Sequence, residues 1–261
     1  MRRSVLILVA AAAILSALVT VAAAETLIGT EGPDQLIGTP SPDQIYGEGG
    51  DDRLLGAESG DYLEAGSGND EIEGADGVDL VIGGTGNDRI DAGTGNDVVY
   101  AGAGDDLVLG GQGSDTLFGQ AGIDRLFGGS GPDRIYASLG GDFVDAGSGA
   151  DRISSDRDDV TILAGPGADL VTADGGSIEV SGGAGRDNIS TGTSNDQVNG
   201  GRGADELDTG AGDDSVRARD GKRDRVRCGD GTDTVDADPI DVLRGCETVT
   251  PARAHRRLRI G

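Results

Sequence analysis

Residues 83–118 read GGTGNDRID AGTGNDVVY AGAGDDLVL GGQGSDTLF, four nine-residue units built on one rule. Each unit opens with a glycine-rich loop, carries Asp in the sixth place and an aliphatic residue in the eighth. The aspartates are Asp88, Asp97, Asp106 and Asp115, and the aliphatics are Ile90, Val99, Val108 and Leu117. Glycine fills the second and fourth places at Gly84, Gly86, Gly93, Gly95, Gly102, Gly104, Gly111 and Gly113.

The rule runs far beyond these units. Stepping by nine from Leu36 meets an aliphatic residue at 21 consecutive slots, ending at Val216, and Leu27 adds one step before them. A chain that is 36% hydrophobic does not do this by chance. Stepping by nine from Asp34 meets Asp at every step through Asp151, then at Asp169, Asp187, Asp196, Asp205 and Asp214. Two slots fail, Val160 and Ile178, yet the aliphatic register holds across both. One pattern therefore reports a core and the other reports a set of ligands.

A period of nine with one inward residue predicts short strands of about three residues joined by six-residue loops. Such loops need backbone at positive φ and close approach, which glycine supplies. Two units make one coil of 18 residues, and stacked coils make two parallel sheets. The 21 slots give about ten coils, or roughly 50 Å at about 4.8 Å per coil. The fold class is all-β, a parallel β-roll or solenoid with two repeats per coil.

These units resemble the RTX, or haemolysin-type, calcium-binding nonapeptide G-G-x-G-x-D-x-U-x. Residues 83–91, GGTGNDRID, match it at every fixed place, and the similarity covers about residues 27–217. The resemblance implies a right-handed roll with Ca²⁺ between successive loops, held by Asp carboxylates and loop carbonyls. The loops themselves speak for the same ion. They offer oxygen donors almost alone, and Ca²⁺ takes six to eight oxygens in tolerant geometry. Stacked carboxylates would repel one another unless cations neutralised them. The competing reading is a set of tight Gly-Asp turns that need no metal.

Loops on one flank lie 18 residues apart, and the two flanks differ. One carries Asp79, Asp97, Asp115, Asp133, Asp151, Asp169, Asp187 and Asp205, with glycine in the second and fourth places in all but the first loop. A long ion column is expected there. The other flank is expected to hold a shorter one at Asp70, Asp88 and Asp106, because its loops degrade from GQAGID onward. Early loops such as GTPSPD, ending in Asp43, lack the glycines and are expected to bind weakly or not at all.

Composition narrows the partners. The formal net charge of −26 argues against nucleic acid and acidic membranes, and favours cations. Aromatics are 3% and Trp is absent, so no thick core is available. The seven aromatics fall beside the aliphatic slots, at outward places. Ile82, Tyr100, Phe118 and Tyr136 are 18 apart and should line up on one sheet face. They either stiffen the sheet by cross-strand packing or form a self-association or partner patch.

The ends read differently. Arg2 and Arg3 precede an apolar run, Val5 to Val19, and small residues crowd its exit at Ala22-Ala23-Ala24. Residues 1–24 are read as a signal peptide, the competing reading being an uncleaved anchor. Cleavage removes two Arg and no acid, leaving −26 − 2 = −28, and a secreted, extracellular or surface protein with no further membrane segment. The body is read as residues 25–217. After Val216 the register slips by one, and residues 218–250 hold the only cysteines, Cys228 and Cys246. In an exported chain these suggest a disulfide that pins a C-terminal cap. Residues 251–261 form a basic tail.

Catalytic chemistry is sparse. The sole His is His255, in that tail, which argues against a His triad or an HExxH site. The expectation is a secreted, non-enzymatic calcium-binding roll that folds or stiffens on meeting Ca²⁺. The alternative is an adhesion or matrix component in which calcium is only structural and the aromatic ladder binds a partner.

Overall fold

The computed structural model describes residues 24–156 and 158–250. The leader, save Ala24, and the basic tail lie outside the described residues. Within them the regular structure is entirely β, in two long parallel sheets. A 13-stranded sheet runs from Thr26–Ile28 to Val242–Arg244, and a 14-stranded sheet from Gln35–Ile37 to Thr248–Thr250. Successive strands alternate between sheets, so each strand pairs with one a coil away. Val99 thus lies opposite Val81 on one side and Leu117 on the other. The coil is two nonapeptides, as the spacing predicts.

Three side chains per unit face inward. All the aliphatic slots from Leu36 to Val216 are buried. So is the residue two places before each, an Asp everywhere but at Val160 and Ile178, and, from Ile45 on, a small residue two places after it, such as Ala65, Ala101 or Ala146. Alternation along a strand explains this spacing of two. Only small residues fit the third column because the roll is thin.

Strands differ from the three-residue expectation in the glycine-rich coils. Val98–Ala103 has six residues, with Gly102 opposite Gly84 and Ala103 opposite Thr85. The loops themselves hydrogen-bond coil to coil. The N–H of Gly86 donates to the Ala103 carbonyl (2.8 Å) and that of Gln112 to the Gly93 carbonyl (2.9 Å). Stacking of this kind leaves no space for a side chain. At Gly113, φ is 140° and an added Cβ would collide with the Gly95 carbonyl oxygen. Degraded loops keep the turn regardless. Glu48, Ala57, Ala75 and Gln120 stand at positive φ, each at a cost of about 1–2 kcal/mol.

On the outer face of the first sheet, Ile82, Tyr100, Phe118 and Tyr136 line up in register. Tyr100 and Phe118 stack with centroids 4.7 Å apart and planes 3° from parallel; Phe118 and Tyr136 repeat this at 4.7 Å and 6°.

Both sheets run on past residue 217. One extra residue in the coil puts Val226 opposite Leu207 and Val235 opposite Val216, and both valines are buried. Cys228 occupies the small inward place and is disulfide-bonded to Cys246. Closing a loop of this length stabilises by about 3 kcal/mol on chain-entropy grounds. Arg219 bridges the last coils, donating to the carbonyls of Ala237 (3.0 Å) and Thr250 (2.9 Å) and pairing with Asp236 (2.6 Å).

Candidate metal centre

The sixth-place Asp sits just before the strand, so its side chain points into the roll rather than out from the loop edge. Each is nearly inaccessible to solvent, and Asp115 and Asp124 wholly so. Its Oδ1 accepts the backbone N–H of the Asp one coil earlier. On the first flank Asp79 donates to Asp97 (2.8 Å), Asp97 to Asp115 (2.9 Å), Asp115 to Asp133 (2.8 Å) and Asp133 to Asp151 (2.8 Å). The chain of bonds continues through Asp169, Asp187 and Asp205. On the second flank Asp70 donates to Asp88 (2.9 Å) and Asp88 to Asp106 (2.8 Å). The eleven aspartates proposed from the sequence are thus gathered into two buried columns.

The other carboxylate oxygen is the unusual one. Oδ2 is buried and without a hydrogen-bond partner at Asp70, Asp79, Asp88, Asp97, Asp106, Asp115, Asp133, Asp151, Asp169, Asp187 and Asp205. A buried, unpaired carboxylate oxygen is costly. The carboxyls respond accordingly. Burial, opposed by the Oδ1 hydrogen bond and reinforced by the Asp of adjoining coils, raises Asp88, Asp97, Asp133 and Asp169 from 3.8 to about 7. Asp115 and Asp151 are raised by burial too. Without a cation, the columns resist full ionisation at neutral pH.

The donors suit a hard cation. At Gly110, the place a Cβ would take lies 2.7 Å from the Gly128 carbonyl oxygen and 2.9 Å from Asp115 Oδ2. Main-chain and carboxylate oxygens of neighbouring coils thus lie close together at this inward place, which Ala92 and Ala101 fill in other coils. Gly84, Gly86, Gly93, Gly95, Gly102, Gly104, Gly111 and Gly113 all stand at positive φ, which brings loop carbonyls against the next coil. Among the described residues, no three Asp, Glu, His or Cys side chains converge on one point. An ion would take at most two carboxylates and complete its shell from main-chain oxygens, a mixture that suits Ca²⁺.

The family model for the RTX calcium-binding nonapeptide repeat (4 copies) matches residues 28–61, 55–90, 82–117, 118–153, 145–177 and 181–216. The chain belongs to this RTX repeat family. Among solved structures it is similar to a hyperactive, Ca²⁺-dependent, beta-helical antifreeze protein from an Antarctic bacterium. The identity is 21%, over 85% of this chain and 81% of that one, with a TM-score of 0.33. Among curated proteins none matches this chain.

The buried carboxylates run beyond the eleven aspartates expected to hold ions. Asp52, Asp61, Asp124, Asp142, Asp196, Asp214 and Asp233 also bury an unpaired Oδ2. On the second flank the column is interrupted only at Val160 and Ile178, both buried in the same slot. The ladder then resumes, with Ile178 N–H donating to Asp196 Oδ1 (3.0 Å). A second, exposed ladder escaped the sequence reading. At the fifth loop place, Asn69 N–H donates to Asp51 Oδ1 (2.9 Å), Asn87 to Asn69 (2.8 Å) and Asp105 to Asn87 (2.9 Å). Asp or Asn at residues 51, 69, 87 and 105 was its legible trace.

Proposed function

We propose that this RTX chain is a secreted, non-enzymatic calcium-binding β-roll whose body is completed by Ca²⁺ threaded along its two flanks. The observation that carries the reading is the column of buried carboxylates with one oxygen each left unpaired. On the first flank Asp79, Asp97, Asp115, Asp133, Asp151, Asp169, Asp187 and Asp205 would hold ions, and on the second Asp70, Asp88 and Asp106. Carbonyls of the loops around Gly84–Gly86, Gly93–Gly95, Gly102–Gly104 and Gly111–Gly113 would complete the shells. Bound Ca²⁺ supplies charge neutralisation and a mechanical link between coils. The chain's own residues supply the register and exclude water.

An ion that binds only the folded roll stabilises it by mass action, so folding follows calcium. The leader-like residues 1–24 and the disulfide support export to an oxidising compartment. Circular dichroism of the secreted chain should show loss of strand in chelator and its return in millimolar calcium. Sequencing of the secreted chain should find Glu25 at its start. Unchanged strand content without calcium would count against the reading.

The second reading is an adhesion or matrix component that binds a partner through Ile82, Tyr100, Phe118 and Tyr136. That ladder lies on an open sheet face, which favours the reading. Against it, the stacked rings turn their faces to one another and leave mainly edges outward. Replacing Tyr100 and Phe118 by Ser and weighing the particle in solution separates the two.

A further inference from the structure

The first loop of each flank breaks the pattern of unpaired oxygens. In GTEGPD, residues 29–34, the N–H of Thr30 donates to Asp34 Oδ2 (2.6 Å) and its hydroxyl donates to the same oxygen (2.9 Å). In GTPSPD, residues 38–43, Thr39 does the same to Asp43, at 2.6 and 3.0 Å. Each hydroxyl in turn accepts a loop N–H, from Gly32 (3.3 Å) and Ser41 (3.2 Å). Asp34 and Asp43 are buried like the others, yet Oδ2 is satisfied in both, and Oδ1 of Asp43 also accepts the N–H of Glu25 (2.6 Å). Neither loop contains a residue at positive φ.

The contrast follows the second loop place. Eighteen loop aspartates bury an unpaired Oδ2, and sixteen of them have positive φ at that place, the exceptions being the loops of Ser138 and Gly192. Both exceptions border the stretch where Val160 and Ile178 interrupt the column. Where the second residue is left-handed, no N–H reaches the carboxylate. Where Thr stands there with ordinary backbone, at Thr30 and Thr39, the N–H and hydroxyl fill the place an ion would take. A side chain at Gly84 or Gly102 would collide with a carbonyl of the preceding coil, whereas no described loop is stacked before residues 29–34 or 38–43.

We infer that Thr with ordinary backbone at the second loop place removes a rung's demand for a cation, so that Thr30 and Thr39 make the first two described rungs a metal-free end cap. The inference rests on the calcium reading above. It assigns the N-terminal limit of the ion columns to Asp52 and Asp61, and makes Thr30 and Thr39 the residues that set it.

The test is the calcium content of the full chain after desalting, measured by plasma emission. Asp34→Asn with Asp43→Asn should leave the count unchanged, whereas Asp88→Asn should lower it by at least one ion. Grafting the central loop onto the end, as T39G/P40T/S41G/P42N, should add one ion. Equal loss in the Asp34/Asp43 and Asp88 variants would overturn the inference alone, as would a folded graft with no added ion. A wild-type chain without calcium would remove the calcium reading and this inference with it.

Discussion

The two flanks of the roll share one core and differ in one column. The first carries buried carboxylates without interruption from Asp61 to Asp224. The second replaces two of them by Val160 and Ile178, and the sheets pass through that stretch in unbroken register. Thr161 still pairs with Phe143, and Ile162 with Val144 and Val180. The coil therefore does not require the aspartate in order to turn. An apolar residue fills the slot and closes the structure, so the turn by itself does not account for the carboxylates kept elsewhere.

That comparison can be broken from the gap. Val160→Asp adds a buried carboxylate to a loop, SDRDDV, that has no glycine in its second or fourth place. The expected result is a loss of about 3–5 kcal/mol in denaturant unfolding, because the new charge has no partner. Calcium should restore little of it. Full rescue by calcium would show that loop glycines do not matter to the site.

The reverse exchange sharpens it. Asp115→Val places on the first flank what the second already tolerates. In chelator the variant should gain about 1–3 kcal/mol, since one unpaired buried oxygen is gone. In calcium it should bind fewer ions and show a smaller stabilisation than wild type. The same sign in both conditions would contradict the account.

Acidity provides a smaller effect with a defined direction. Asp61, Asp88, Asp97, Asp124, Asp133 and Asp169 are raised to about 7, and Asp52 and Asp187 to about 6, chiefly by burial. A carboxyl whose pKa is higher folded than unfolded binds more protons in the folded state. Lowering the pH then favours folding. Without calcium, the melting temperature should fall as pH rises from about 4 through 7. Calcium should flatten or invert that slope, because protons and Ca²⁺ compete for the same oxygens. Parallel slopes with and without calcium would contradict shared sites.

The smallest effect belongs to the sheet face, away from both flanks. Phe118→Ser removes two ring stacks and should cost about 1–2 kcal/mol, with ion count and solution mass unchanged. A change in mass would favour the partner reading of the ladder.

Much of this architecture was legible before any coordinates. The aliphatic walk from Leu36 to Val216 marks residues that are all buried, and the 18-residue coil follows from it directly. What escaped was chemistry that depends on stacking. Nothing in GGTGND states that loop backbones pair with one another, which lengthens strands such as Val98–Ala103. Nor does an isolated repeat show that one Asp oxygen is held by the preceding coil while the other is left alone. The continuation past Val216 was half visible, in Val226 and Val235. The extra residue in that coil hid that the two sheets persist to Arg244 and Thr250. The loop of Thr39 read as degraded because the loss of glycine is visible in sequence, whereas a hydroxyl turned onto a carboxylate is not.

The most direct measurement is anomalous scattering from crystals grown in calcium. The account predicts a continuous row of peaks beside Asp79 through Asp205, and a shorter row on the second flank beside Asp70 to Asp106 with none at Val160 or Ile178. Aspartates with both oxygens paired to protein or protons, and no peaks between coils, would contradict it.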